Sequence, residues 1–167
     1  MVTKLKFKGE KHKKRKRADD DAEGQGSSRD GADDSEGWVN AESLDDLGTG
    51  PLFIAFASSS PIALTYGTSG NVSASVIKSA GEHGSVDHAE PDSVPQVWIA
   101  TRLAQSDKIS IKTHDSKFLS CDKVGLLSAS KEAIGAQEEW RPIRTSNGWA
   151  LQNVYDKFLY VSGPGEN

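Results

Sequence analysis

The stretch that decides the fold is Ile109-Ser-Ile-Lys-Thr-His-Asp-Ser-Lys-Phe-Leu119, because the chain repeats it. Trp149-Ala-Leu-Gln-Asn-Val-Tyr-Asp-Lys-Phe-Leu159 aligns with it without gaps at an offset of 40 residues, and both copies end in Lys-Phe-Leu. A fainter third copy is Phe53-Ile-Ala-Phe-Ala-Ser-Ser-Ser-Pro-Ile-Ala63, in which Ile62 replaces the phenylalanine. Repetition at a period of about 20 to 50 residues marks repeated units of supersecondary structure.

Each repeat has the periodicity of β-strands. Apolar and polar residues alternate in Ile109-Ser-Ile111 and Trp149-Ala-Leu151, and turn-rich stretches follow them. Gln96-Val-Trp98 and Glu138-Glu-Trp140 each place a tryptophan just before the next unit. A unit of four short strands cannot bury its apolar face alone, so three units are expected to pack around a pseudo-threefold axis. The sequence therefore predicts an all-β protein with a β-trefoil fold.

The repeated apolar residues form the predicted core. Replacing one of its phenylalanines with alanine is expected to cost about 3 to 5 kcal/mol. The single cysteine, Cys121, excludes a disulfide framework and is expected to be a small buried side chain. The predicted core comprises Phe118, Leu119, Phe158, Leu159, Ile62, Ile111, Leu151 and Trp140.

Charge is strongly segregated along the chain, although the net charge is only −4. Residues 4–17 hold nine lysines and arginines and one acid, and residues 19–36 are acidic and rich in glycine and serine. Few large apolar side chains occur before residue 37, too few to offset the entropy of ordering the segment. We therefore predict a disordered arm over residues 1–36, basic then acidic, followed by the trefoil domain over residues 37–167.

Two sets of cations are candidate interaction sites. The first set lies in the arm and suits a nuclear import receptor or nucleic-acid phosphates, without base specificity; the alternative is a solvated charge run. It comprises Lys11, Lys13, Lys14, Arg15, Lys16 and Arg17. The second set falls in or near the hairpins of the second unit and is a candidate partner surface; the alternative is ordinary solubilising charge. It comprises Lys112, Lys117, Lys123, Lys131, Arg141 and Arg144.

No enzyme class fits the sequence. The loop from Glu82 to Glu90 gathers metal-capable side chains, but no regular structure is predicted to bring them together. His114 and Asp115 are neighbours whose side chains should point to opposite faces of a strand, so they make a poor catalytic pair. Phosphate-binding loops and nucleophile elbows are also missing from the sequence. We predict no catalytic residue, cofactor or metal, and a soluble intracellular protein without a membrane span.

The chain resembles a known family in its lysine-rich start, its acidic linker and an ordered series of motifs. These are Lys117-Phe-Leu119, Gly125-Leu-Leu-Ser-Ala-Ser130, Ala133-Ile-Gly135 and Glu138-Glu-Trp140. They are similar to the facioscapulohumeral muscular dystrophy region gene product family and its fungal relatives, which carry a fascin-like trefoil. The resemblance implies a nuclear and nucleolar protein, with the cytoplasm as a further location, that is associated with the spliceosome and with pre-mRNA splicing or rRNA processing. It implies RNA and spliceosomal ribonucleoprotein proteins as partners; the alternative is a fascin-type module that binds or bundles actin filaments.

Two features depart from the family pattern. The sequence ends at Asn167, about twenty residues before a third unit like the second would be complete. We therefore expect an incomplete trefoil with open strand edges and an unfilled sector of the core. The first unit lacks the lysine and phenylalanine of the other two, so no role of that lysine can be transferred to it.

Overall fold

The computed structural model describes residues 2–8, 37–80 and 84–162. The described chain is all-β, with short 3-10 turns at Asp45–Leu47, Lys78–Ala80, Val86–His88, Val94–Gln96 and Ala136–Glu138. Its strands are β1 (Val2–Lys8), β2 (Trp38–Asn40), β3 (Thr49–Ala57), β4 (Ile62–Tyr66), β5 (Val72–Val76), β6 (Val97–Arg102), β7 (Ile109–Lys112), β8 (Phe118–Cys121), β9 (Leu127–Lys131), β10 (Glu139–Thr145) and β11 (Gly148–Gln152).

Six of these strands close into a barrel. Antiparallel pairing runs from β1 through β11, β10, β7, β6 and β3, and β3 pairs back with β1. The hairpins β4–β5 and β8–β9 branch from the barrel strands β3 and β7, and β2 adds to β1. A closed six-stranded barrel with attached hairpins is consistent with the predicted β-trefoil type of fold.

The strand register repeats around the barrel. One kind of pair occurs as Leu52 with Trp98, Ile109 with Trp140, and Trp149 with Thr3. Two residues further along the strands, a second kind occurs as Ala100 with Ile111, Pro142 with Leu151, and Leu5 with Ile54. Strand β1 thus holds the barrel position that corresponds to β6 and β10, and Thr3 stands where those two strands carry tryptophan.

The prediction of a disordered arm over residues 1–36 is wrong for Val2–Lys8. These residues pair with β3 along six consecutive positions and bury Leu5, which is 1% exposed. The lysine-rich composition suggested that this segment could not be buried. Lys6 is buried nevertheless, because its Nζ donates hydrogen bonds to the carbonyls of Asp87 (2.9 Å) and Ala89 (2.7 Å). The structured domain therefore includes residues before Trp38, and residues 9–36 lie outside the described part of the chain.

The expectation of an unfilled barrel sector is also corrected by β1. The side chain of Leu5 belongs to the main core together with Leu151 and Trp149 of β11. Pairing of β1 with both β3 and β11 satisfies edges that we expected to be open. The strand that completes the barrel comes from the start of the sequence, which the repeat pattern did not indicate.

Tryptophan side chains connect the hairpins to the barrel. The indole Nε1 of Trp98 donates to the Leu64 carbonyl, and that of Trp140 donates to the Leu119 carbonyl, each at 3.0 Å. Leu64 of β4 and Leu119 of β8 are therefore equivalent positions. Both tryptophans are almost fully buried, as the predicted role of Trp140 in the core requires.

The predicted core is confirmed for most residues but wrong for Phe158. Ile111, Leu119, Leu151 and Leu159 are buried, as is Cys121, whereas Ile62 and Phe118 are partly buried. Phe158 is 49% exposed. Within each Phe-Leu pair the leucine faces the core, because successive side chains of an extended segment point to opposite faces.

A second, smaller core explains a one-residue error in the alignment of the first unit. Phe53 packs with Ile77 and Val86 under the segment that follows β5, while its neighbours Leu52 and Ile54 face the main core. Leu52, not Phe53, is thus the equivalent of Ile109 and Trp149. Strand β3 is buried on both faces, so apolar periodicity could not fix its register.

Candidate functional site

Three of the six predicted surface cations lie together around Phe118. Lys112 of β7 is the cross-strand neighbour of Phe118, which in turn pairs with Lys131 of β9. Lys117 precedes Phe118 and forms an ion pair with Glu132. The register of three adjacent strands produces this group, and Glu132 neutralises part of its charge.

The other three predicted cations lie elsewhere. Lys123 is exposed in the turn between β8 and β9, where its carbonyl accepts a hydrogen bond from Lys157 Nζ at 3.2 Å. Arg144 lies 5.3 Å above the ring of Trp149 and donates to the carbonyl of Ala41 at 3.0 Å. The six cations therefore do not form one continuous surface.

Arg141 lines an open groove of about 690 Å³ that sequence reasoning missed. The groove is built on the turn between β6 and β7, residues 103–108, and Arg102 and Lys108 are its other basic residues. Both residues flank a polar turn between two strands, Gln105-Ser-Asp107. Their placement opposite Arg141 of β10 depends on pairing between strands that are distant in sequence, so no local pattern indicates it.

Each cation of this groove has a carboxylate partner. Arg102 pairs with Asp45 at 2.6 Å, Lys108 with Glu139 at 2.7 Å, and Arg141 with Asp107 at 3.0 Å. These pairs are solvent-accessible, so each contributes little to stability and can exchange partners. A polyanion would have to compete with three carboxylates here, so the groove favours weak and salt-sensitive binding over tight binding.

A second groove, of about 510 Å³, lies between the turn after β4 and the β7–β8 hairpin. At its base the Tyr66 hydroxyl is 2.9 Å from His114 Nδ1, and the Tyr66 ring packs edge-on against Trp98. Burial raises the pKa of Tyr66 above its usual value of 10.0. At neutral pH the tyrosine is therefore uncharged and acts as a hydrogen-bonding partner of the imidazole.

His114 and Asp115 do not act on one another as a base and its orienting carboxylate. The Asp115 carboxylate accepts from the Thr113 hydroxyl, and this hydrogen bond, more than any other contact, lowers the pKa of Asp115. Thr113 Oγ1 also accepts from the backbone N–H of Lys117 at 3.0 Å, which fixes the hairpin turn. Both residues lie in the turn between β7 and β8 and not on a strand, so the argument from opposite strand faces does not apply to them.

The metal-capable loop has a structural task in its described part. The carbonyls of Asp87 and Ala89 bind the buried Lys6, and the Asp87 carboxylate lies 3.3 Å from Lys4 Nζ. Among the residues that the structure describes, no three His, Cys, Asp or Glu side chains are grouped so as to hold a metal ion. Glu82 and His83 lie outside that description.

Two further predictions concern a membrane-spanning segment and the basic arm. No helix within residues 2–8, 37–80 and 84–162 is long and apolar enough to cross a membrane. The arm cations Lys11, Lys13, Lys14, Arg15, Lys16 and Arg17 all fall between residues 9 and 36, outside the described chain.

Barrel and grooves together define a class: a β-barrel domain with attached hairpins, in which the cations of the largest described basic groove, Arg102, Lys108 and Arg141, are paired with carboxylates. The family model of the FRG1-like domain matches residues 74–166. Because this match spans more than half of the chain, the protein belongs to the FRG1-like domain family. "Protein frg1" of Schizosaccharomyces pombe is 29% identical over 158 residues, which are 94% of this chain and 61% of that relative. The chain thus spans less than two thirds of the relative's length.

Proposed function

We propose that this protein is a non-enzymatic interaction module of the nucleus and nucleolus, associated with the spliceosome and with pre-mRNA splicing or rRNA processing. The observation that carries the proposal is the FRG1-like domain match over residues 74–166. A rigid barrel with charged grooves, such as the one that contains Arg102 and Arg141, suits contacts with proteins and RNA.

The fold is proposed more finely as a fascin-like β-trefoil built from three units. Support comes from the register pairs that recur around the barrel and from the equivalent indole bonds of Trp98 and Trp140. Strand β1 takes the last barrel position of the third unit.

Contact with RNA is proposed to occur mainly through the arm. Lys11, Lys13, Lys14, Arg15, Lys16 and Arg17 supply six cations within seven residues, whereas the cations of the barrel groove are paired. Such binding is electrostatic and reads no bases. The same cations are proposed to bind a nuclear import receptor.

The test replaces these six cations with glutamine and follows both the location of the protein and its ribonucleoprotein partners. Loss of nuclear residence, with the barrel intact, supports import by the arm; unchanged exclusive nuclear residence contradicts it. Crosslinking of the protein in nuclear extract should recover spliceosomal or pre-ribosomal proteins. Recovery of neither class contradicts the proposed association.

The actin-binding alternative is separated by sedimentation with purified actin filaments. The unaltered chain and the six-glutamine variant are compared at low and raised salt. Pelleting of both proteins that resists salt would favour filament binding by the barrel over the proposed nuclear role. Deleting residues 4–17 is unsuitable for this purpose, because that deletion removes most of β1 from the barrel.

A further inference from the structure

The groove that contains Arg102 and Arg141 has an equivalent at the next hairpin of the barrel. Arg102 of β6 pairs with Ile109 of β7, and Arg144 of β10 pairs in the same way with Trp149 of β11. Ile109 and Trp149 occupy the same position of the sequence repeat, 40 residues apart. Arg102 and Arg144 are therefore equivalent positions, each beside the turn that joins two barrel strands.

The next barrel strand supplies a second cation to each groove. Trp140 of β10 and Thr3 of β1 pair with equivalent residues of β7 and β11. The residues that follow them, Arg141 and Lys4, are therefore equivalent as well. Lys4 and Arg144 line a groove of about 480 Å³, here called the Arg144 groove. Its polar lining includes Lys4, Asn40, Glu42, Asp87, Arg144 and Asn147.

Arg144 differs from its equivalent in having no acidic partner. Arg102 forms an ion pair with Asp45 at 2.6 Å, and Arg141 is also paired with a carboxylate. Among the residues that the structure describes, no carboxylate forms an ion pair with Arg144. Of the three arginines in that part of the chain, Arg144 alone keeps its charge unneutralised.

The sequence of the turn accounts for part of this difference. In the first groove Asp107 neutralises Arg141, and the residue 40 positions after Asp107 is the uncharged Asn147. Lys4 pairs instead with Asp87, at 3.3 Å. The turn beside Arg144 thus lacks the carboxylate that its equivalent provides.

Arg144 is nevertheless held in a defined position. Its guanidinium lies 5.3 Å from the centre of the Trp149 ring, and its Nη1 donates to the carbonyl of Ala41 at 3.0 Å. The indole Nε1 of Trp149 donates to the same carbonyl at 2.9 Å. A guanidinium presents a planar fork of N–H donors that fits a carboxylate bidentately. Because this one is positioned in advance, binding a carboxylate costs less ordering of the side chain.

Asn40, which lines the same groove, has an unmet hydrogen-bonding group. Within residues 2–8, 37–80 and 84–162, its Oδ1 is the only buried side-chain oxygen or nitrogen without a hydrogen-bond partner. Its Nδ2 lies 3.5 Å from the Asp87 carboxylate, a long contact that holds the amide only loosely. A small rotation of Asn40 would present the oxygen to a donor in the groove. A peptide carries such a donor, a backbone N–H, close to each of its side chains.

We propose that the Arg144 groove binds a peptide segment of a partner protein through one acidic side chain. Its carboxylate is bound by the Arg144 guanidinium, and a neighbouring backbone N–H is accepted by Asn40 Oδ1. Glu42 and Asp87 lie in the same groove and repel further negative charge. The groove therefore fits an isolated aspartate or glutamate among uncharged residues, and it disfavours acidic runs and nucleic acid. This inference does not rest on the proposed nuclear role.

The test titrates the full chain with the peptide acetyl-Gly-Ser-Gly-Glu-Gly-Ser-Gly-amide and follows the nuclear magnetic resonance signal of the Trp149 indole N–H. We expect a saturable shift with a Kd of about 1 mM, together with shifts at residues 40–42 and 144–149. The same peptide with glutamine in place of glutamate should bind at least about tenfold more weakly, a difference of about 1.4 kcal/mol.

Matched variants of the protein identify the arginine that binds. Arg144→Gln should weaken binding at least about tenfold. Arg144→Lys keeps the charge but loses the planar fork, so it should still weaken binding, by at least about threefold. Arg102→Gln changes the net charge equally at the equivalent position and should leave binding of the peptide unchanged. Thermal unfolding confirms that all three variants are folded.

Three results would overturn the proposal: no saturation at about 10 mM peptide, equal binding of the glutamate and glutamine peptides, or equal losses from Arg144→Gln and Arg102→Gln. Two further ligands test the class of partner, a peptide with three consecutive glutamates and a single-stranded RNA of six uridines. Neither should bind more tightly than the single-glutamate peptide. Tighter binding of either one that Arg144→Gln removes would make the groove a general polyanion site and overturn the proposal in this form.

Discussion

Leu119 and Phe158 show that a residue repeated between units need not lie in the core. Leu119 is fully buried, whereas Phe158 is 49% exposed although both units contain the same Lys-Phe-Leu triplet. We expect Leu119→Ala to lower the free energy of unfolding by about 2 to 5 kcal/mol. Phe158→Ala should cost less than about 1.5 kcal/mol, because much of the ring is already in water. Urea unfolding measures both; a larger loss for Phe158→Ala would contradict the assigned faces.

Lys6 connects stability to pH. Burial lowers the pKa of its ammonium below the usual 10.5, and the nearby Asp87 and Glu90 only partly oppose this shift. Between the lowered pKa and 10.5, the unfolded chain binds more protons than the folded chain, so the contribution of Lys6 to stability rises with pH. At pH below the lowered pKa both states carry the charge, and the cost of burying it is present in full.

The comparison that measures this effect is Lys6→Met. The free energy of unfolding of the unaltered protein, relative to the variant, should increase as pH rises towards 10.5. Lys123→Met, at an exposed turn, corrects for the change in net charge. A difference that falls with pH would show that the ammonium of Lys6 is stabilised, not penalised, by the fold.

Strand β1 is the element whose deletion is expected to destabilise the fold most. Deleting residues 2–8 removes the pairs with β2, β3 and β11 and exposes the core around Leu5. We expect loss of cooperative thermal unfolding and of the near-UV circular dichroism of the tryptophans. The six-glutamine variant of residues 11–17 is the control and should keep both signals. A cooperative transition in the deletion variant would show that the barrel does not need β1.

Elements were predictable to different degrees, for physical reasons. In β7, β8 and β11 apolar side chains alternate with small or polar ones, and this alternation located the strands correctly although several of the polar residues are also buried. Strand β3 is buried on both faces, so its pattern contained no register information. Strand β1 was missed because lysines usually exclude a segment from a core, and only the distant carbonyls of Asp87 and Ala89 permit Lys6 there.

Over the whole molecule, the candidate site was predictable only in part. Lys112, Lys117 and Lys131 are adjacent because hairpin neighbours in sequence are neighbours in space. Arg141 and Arg102 share a groove through pairing of β10 with β7 and of β7 with β6, across some forty residues of sequence. Single-sequence patterns carry no signal for such long-range placement.

RNA binding by the whole chain should depend steeply on salt. On single-stranded RNA the logarithm of the affinity falls by about 0.7 per neutralised phosphate for each logarithmic unit of salt, so removing all six arm cations should flatten the slope by up to about 4. Fluorescence anisotropy over a salt series measures both slopes. Charge reversal at Arg141 should change the slope far less, since Asp107 already neutralises Arg141. An unchanged slope in the six-glutamine variant would place the contacts on the barrel.

The pairing of Thr3 with Trp149 has a consequence for synthesis on the ribosome. The first strand to emerge must wait for the last barrel strand, which at 5 to 20 residues per second follows after about 7 to 30 seconds. During that interval β1 can pair with β2 and β3, which emerge earlier, but its contact with β11 and the closure of the barrel have to wait. The open barrel therefore leaves the core side of Leu5 uncovered by β11 until synthesis is nearly finished.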